Sequence, residues 1–129
     1  MNLNNFTIKA AEVFQQAQQL AFNSKHPAIE TEHLLQALLQ MEDSPIGYLL
    51  KKNNVNPVQL ELKLNEALQQ LPVTTAEPAQ TIGREANAAI LRAGASLKTF
   101  EDEFVTPEQL LLALVQGKDV TCLLYTSPS

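Results

Sequence analysis

A twelve-residue phrase occurs twice in the chain. Ile29–Gln40 reads IETEHLLQALLQ, and 76 positions later Val105–Gln116 reads VTPEQLLLALVQ. Six of the twelve residues are identical: Glu32/Glu108, Leu34/Leu110, Leu35/Leu111, Ala37/Ala113, Leu38/Leu114 and Gln40/Gln116. Ile29/Val105 and Leu39/Val115 are close exchanges. Chance would supply roughly one identity, so the phrase marks an internal repeat. The preceding stretch returns at the same offset. Phe6, Ala10, Val13, Phe14, Ala17 and Ala21 match Ile82, Ala86, Ala89, Ile90, Ala93 and Leu97. Two stretches sharing one ungapped offset require a duplicated structural unit.

The periodicity of that unit is helical. In the first copy, Phe6, Ala10, Val13, Phe14, Ala17, Leu20 and Ala21 recur at i, i+3, i+4 and i+7, with Gln and charged residues between them. Asn5 or Thr7 is suited to cap this helix, and Pro27 ends it near Asn23–His26. The Ile29 phrase forms the second helix. Ser44–Pro45 reads as a cap and first helical residue for a short third helix to about Lys51. Asn56–Pro57 gives the same signal for a fourth, carrying Leu60, Leu64, Ala67, Leu68 and Leu71 on one face. In the second copy Thr106, Pro107 and Gln109 form a better start, a capping box with proline at the first turn.

These elements predict an all-α fold of two pseudo-symmetric helical repeats, a double four-helix unit whose second half is incomplete. Residues 1–71 form repeat 1, and 72–80 (PVTTAEPAQ), with two prolines and no periodicity, a linker. Residues 81–124 form repeat 2 and 125–129 (YTSPS) a tail whose native origin is open. Asp119–Leu124 reads as the start of a counterpart to the third helix. No counterpart to the fourth follows, so truncation is expected, with part of repeat 2 left uncovered.

Composition narrows the function. Aromatic residues make up 5% of the chain and Trp is absent, so the core must be built from Leu, Ala, Ile and Val. The formal charge of −5 disfavours partners held through phosphate, both nucleic acid and anionic membrane surfaces. Cys122 is the single cysteine, which excludes an intrachain disulfide and fits a reducing compartment. No secretory signal opens the chain, and its longest apolar run, Leu110–Val115, is far too short to span a bilayer. A cytoplasmic chain is expected.

No catalytic pattern stands out. Gly47, Gly83, Gly94 and Gly117 do not fit a phosphate-binding loop. His26 and His33 lie near Glu30 and Glu32, but adjacent helical residues diverge and no second His lies at i+4. The bland reading, exposed histidines at a helix start, outweighs a metal site. Cys122 has no positioned base. Glu101, Asp102, Glu103 and Glu108 gather near the start of the second leucine-rich helix. They read either as a solvated, dipole-complementing cluster or as the acidic rim of an apolar groove.

FTIKAAEVFQQAQQLA, IETEHLLQALLQ, SPIGYLLKKNNVNPVQLELKLNEAL and DEFVTPEQLLLALV together resemble the Clp N-terminal (Clp repeat) domain of ClpB-, ClpA- and ClpC-type chaperones, closest to the ClpB type. The resemblance implies a mobile module that binds unfolded or aggregated polypeptides, or adaptor proteins, and delivers them to hexameric AAA+ ATPase rings. A ClpC- or ClpA-type adaptor-docking domain is the alternative parentage. By the same resemblance no cofactor is expected in this chain, ATP and Mg belonging to ATPase modules outside it, and the domain alone is monomeric and not an enzyme. The family's implicated positions fall on Thr7, Asp102 and Glu108. Its exposed leucines along the first helix of repeat 2 fall near Arg92 and Ser96, with Leu91 and Leu97 beside them.

Overall fold

The computed structural model describes residues 5–41, 45–99 and 104–117, with the side chains of Lys98 and Thr99 excepted. Among these described residues six helices, α1 (Ile8–Asn23), α2 (Thr31–Gln40), α3 (Ile46–Lys52), α4 (Pro57–Gln69), α5 (Arg84–Thr99) and α6 (Pro107–Val115), enclose one core. The duplication is met in register. α5 begins and ends 76 residues after α1, and α6 begins 76 residues after α2.

Local chemistry sets the boundaries. The Thr7 hydroxyl accepts from the Ala10 N–H at 3.1 Å and caps α1. Asn56 Oδ1 accepts from the N–H groups of Val58 and Gln59 at 2.9 and 3.4 Å, with Pro57 opening α4. Thr106 and Gln109 exchange backbone–side-chain bonds of 3.2 and 3.0 Å, forming the expected capping box of α6. The start of α3 differs from expectation. Pro45 is itself the cap and Ile46 the first helical residue, while Ser44 lies outside the described residues.

α2 is the hub. It packs against α1, α3, α4, α5 and α6, and Leu34, Leu35 and Leu38 are fully buried on it. Side chains of this size each contribute about 1.5–3 kcal/mol when fully buried. Its counterpart α6 packs against α5, α2 and α1.

Two short parallel pairings were not expected from the sequence. Strand β1 (Ala28–Ile29) pairs with β2 (Thr81–Ile82), Ala28 opposite Thr81 and Ile29 opposite Ile82. Phe6 forms an equivalent parallel bridge with Val105. Ile82 is the repeat counterpart of Phe6, and Val105 that of Ile29. Each repeat therefore lends the segment before its first helix to the segment before the other's second helix. The hydrogen bonds obey the same exchange: Gly83 N–H donates to Ile29 O at 2.8 Å and Thr7 N–H to Val105 O at 2.9 Å.

The linker is likewise tied down. The N–H groups of Thr74, Ala79 and Gln80 donate to the carbonyls of Lys25, His26 and Pro27 at 2.8, 2.9 and 3.2 Å. Ala79 is buried with φ 56°, a left-handed conformation that an alanine adopts only when its surroundings impose it.

Candidate functional site

The swapped pairing gathers two of the residues singled out by resemblance. The Thr7 N–H bonds Val105, three residues before Glu108, so Thr7 and the first turn of α6 share one corner of the molecule. The Thr7 hydroxyl caps α1 through an oxygen lone pair, which does not consume its own hydrogen. Glu108 is half-buried in the first turn of α6, where a carboxylate complements the helix dipole. Glu101, Asp102 and Glu103 lie outside the described residues. Cys122 also lies outside them.

The two leucines part company. Leu91 is 66% exposed, whereas Leu97 is 8% exposed and packs into the core. Leu97 continues the stripe of Ala86, Ile90 and Ala93 at i, i+4, i+7 and i+11, while Leu91 follows Ile90 and is rotated about 100° away. Leu97 is thus a packing residue and offers no surface for a ligand. Arg92, beside Leu91, reaches across to α6 and donates from Nε and Nη2 to Ala113 O at 3.1 and 2.8 Å. Ser96 donates to Ala93 O at 2.8 Å.

Apolar exposure in repeat 2 extends beyond Leu91. Leu112 is 42% and Phe104 49% exposed. Aligning the repeats shows why they stand out: the counterparts of Leu91, Phe104 and Leu112 are Gln15, Ala28 and Gln36. In repeat 1 Gln36 is half-buried beside α4, its Nε2 3.5 Å from Asn65 Oδ1. The repeat alignment already held this signal, since it places a leucine where a polar residue suffices. Open grooves lie elsewhere among the described residues. One of about 360 Å³ runs between α1 and α2, lined by Lys9, Glu12, Val13, Gln16, Ala37, Gln40 and Met41. Another of about 380 Å³ sits at the repeat junction, bordered by Phe14, Gln18, Ile29, Ala79 and Ile82 among others.

The histidines are not the exposed helix-start residues that spacing suggests. His26 and His33 are buried, at 5% and 1% exposure, with His26 Nδ1 2.7 Å from His33 Nε2. Burial, and then the neighbouring His26, push His33 down to about 4. Burial also lowers His26, against the opposing pull of Glu32. Sequence reasoning weighed the two rings as a metal site and set them aside as exposed, and missed that the loop after α1 buries them against each other. Among the described residues no group of three or more His, Cys, Asp or Glu is placed to hold a metal ion. Among them, too, no helix is long and apolar enough to cross a membrane.

Known proteins share this arrangement. The Clp repeat (R) N-terminal domain family matches residues 5–125. The chaperone protein ClpB of Bacteroides thetaiotaomicron is 34% identical over 119 residues, 92% of this chain. The chain spans only 14% of that relative's length. Among solved structures, the Hsp104 N-terminal domain from Candida albicans superposes with a TM-score of 0.80 at 21% identity, covering 92% of this chain and 79% of that one. A ClpV N-domain in complex with a VipB peptide superposes with a TM-score of 0.77 at 16% identity, covering 100% of this chain and 84% of its own. At such identities the superpositions establish the fold. With the fold, the duplicated helix pair and the family match in agreement, the chain belongs to the Clp repeat N-terminal domain family.

Proposed function

We propose that this chain is the polypeptide-binding N-terminal module of a ClpB-like ATP-dependent chaperone, cytoplasmic, monomeric by itself and carried by a hexameric parent. It engages exposed apolar stretches of unfolded or aggregated chains and passes them to ATPase modules outside this sequence, without catalysis of its own. The observation that carries the reading is the set of exposed apolar side chains of repeat 2, Leu91, Phe104 and Leu112, at positions where repeat 1 has Gln15, Ala28 and Gln36. Repeat 1 exposes apolar side chains at other positions, Ile8, Phe22, Tyr48, Val58 and Leu62. Exposed apolar side chains edged by polar groups hold many sequences weakly. A tether to the parent's pore then raises the effective concentration of the bound chain.

The peptide complex of a structurally similar ClpV N-domain favours a second reading, docking of one defined segment such as an adaptor's, as in a ClpC- or ClpA-type parent. Titration of a fluorescently labelled, permanently unfolded polypeptide against the chain separates the two. Saturable binding that unrelated unfolded chains compete away supports the first reading. Replacing Leu91 by Ser or Leu112 by Gln is expected to weaken it about fivefold or more, the effect of losing an interface contact worth ~1 kcal/mol. Leu62→Ser on the exposed face of α4 leaves binding unchanged. Absence of binding, or equal loss from all three variants, sinks the proposal. Thr7→Ala and Asp102→Ala in the full-length parent extend the test to disaggregation.

A further inference from the structure

The two imidazoles and a backbone amide form an ordered chain at the repeat junction. The Glu30 N–H donates to His33 Nδ1 at 2.8 Å, so that nitrogen is unprotonated and the ring hydrogen sits on Nε2. His33 Nε2–H then donates to His26 Nδ1 across 2.7 Å, which places the hydrogen of His26 on its own Nε2. The network itself assigns these tautomers. An added proton cannot be accommodated. On His33 Nδ1 it faces the Glu30 N–H. On His26 Nδ1 it faces the His33 Nε2–H, and moving that hydrogen to Nδ1 returns the clash to Glu30. Both bonds survive only while both rings are neutral.

These bonds hold two structures at once. Glu30 is the cap residue of α2, the hub helix. His26 accepts the Ala79 N–H through its carbonyl, fastening the linker where Ala79 is held at φ 56°. Among the described residues, the charged and titratable groups around the pair are few. Glu32 on α2 favours the charged form of His26, and each ring bears on the other. The Glu30 side chain lies against Gly83 at the start of α5, and Lys25 and the linker's Glu77 are exposed. Repeat 2 caps its leucine-rich helix without an imidazole, and the His26 position there is Asp102, outside the described residues. Gln109 stands at the His33 position, and its Oε1 accepts the Thr106 N–H at 3.0 Å.

We propose that His26 and His33 form an acid-sensitive latch between the two repeats, closed while both rings are neutral and opened by a single proton. The sign follows from the lowered folded-state values. The latch contributes its full stability above pH 6.5, and loses it as the pH falls from there towards about 4. Within that window the unfolded chain takes up a proton that the folded chain refuses. The folding constant then falls about tenfold per pH unit for each such ring.

Urea denaturation of the whole chain from pH 7.5 to 4.5 tests this, with His33→Gln as the informative variant because Gln109 already performs its capping role. The variant is expected to fold at neutral pH and to show a shallower decline below pH 6.5, by about one power of ten per unit. Parallel curves for the two proteins would overturn the latch. If His33→Gln does not fold, nitrogen-15 NMR of the native imidazoles decides alone. An unprotonated His33 Nδ1 down to near pH 4, with its protonation accompanied by loss of the folded Ala79 amide signal, supports the proposal. Titration of His33 near 6.5 in an otherwise unchanged fold refutes it.

Discussion

Among the described residues, the leucine-rich helix α2 of repeat 1 packs against five other helices, while its counterpart α6 in repeat 2 packs against three. The same phrase thus occupies two environments. Gln36 on α2 is half-buried and reaches Asn65 of α4, and Leu112 at the matching place on α6 is exposed. A duplicated sequence can therefore serve as scaffold in one copy and as surface in the other. What differs is which neighbours surround it, and at this position the side chain differs too, Gln36 half-buried on α2 and Leu112 exposed on α6.

The largest test of that asymmetry lies in the core. Leu34 and Leu110 are equivalent and equally inaccessible. Truncation to Ala is expected to cost about 4 kcal/mol at Leu34 and nearer ~3 kcal/mol at Leu110, because less surrounding structure is held around α6. Equilibrium denaturation measures both, and equal losses would mean that the enclosure of α2 adds nothing.

Positions 7 and 83 sharpen the comparison at the junction. They make the same backbone bond, yet one carries a capping hydroxyl and the other lies against the Glu30 carboxylate. A methyl group at Gly83 would run into the Glu30 carboxylate. Gly83→Ala is expected to destabilise by about 2 kcal/mol, as overpacking does, and Thr7→Ala by ~1 kcal/mol through the lost cap. Combining Gly83→Ala with Glu30→Thr, which imports the cap residue of repeat 2, should recover most of the first loss. Failure to recover it would show that the strain lies in the backbone.

The smallest effect is expected at the surface. Leu112→Gln makes repeat 2 resemble repeat 1, and should change stability by no more than ~0.5 kcal/mol. A larger loss would show that Leu112 is a packing residue, and would remove it from the binding surface.

Much of this was legible in the chain. The 76-residue offset located four helices and paired them, since helical periodicity survives exchanges such as Phe14 for Ile90. Proline and Asn or Thr starts placed α4 and α6 to within a residue. Pairings between distant backbone segments were not legible. Ala28–Ile29 and Thr81–Ile82 are too short for an alternating pattern, and their register depends on where the helices deliver them. The histidines were misjudged for a related reason: a seven-residue spacing across a turn and a helix start has no fixed geometry. At the candidate site, Leu97 could have been assigned to the core from its stripe with Ile90 and Ala93. Leu112 required knowing which neighbours α6 has.

The exchanged pairing also bears on how the chain acquires its structure. Thr7 meets Val105 across roughly a hundred residues, among the longest separations the chain can close. During synthesis α1 and α2 can form as soon as they emerge, yet the residue that caps α1 finds its backbone partner only when α6 is about to be made. The first half must wait, with its leading segment unpaired, for the second. A chain interrupted before Val105 would retain the leucines of α2 and lose α6, which packs against that helix, becoming the kind of exposed apolar chain that a chaperone is needed to handle.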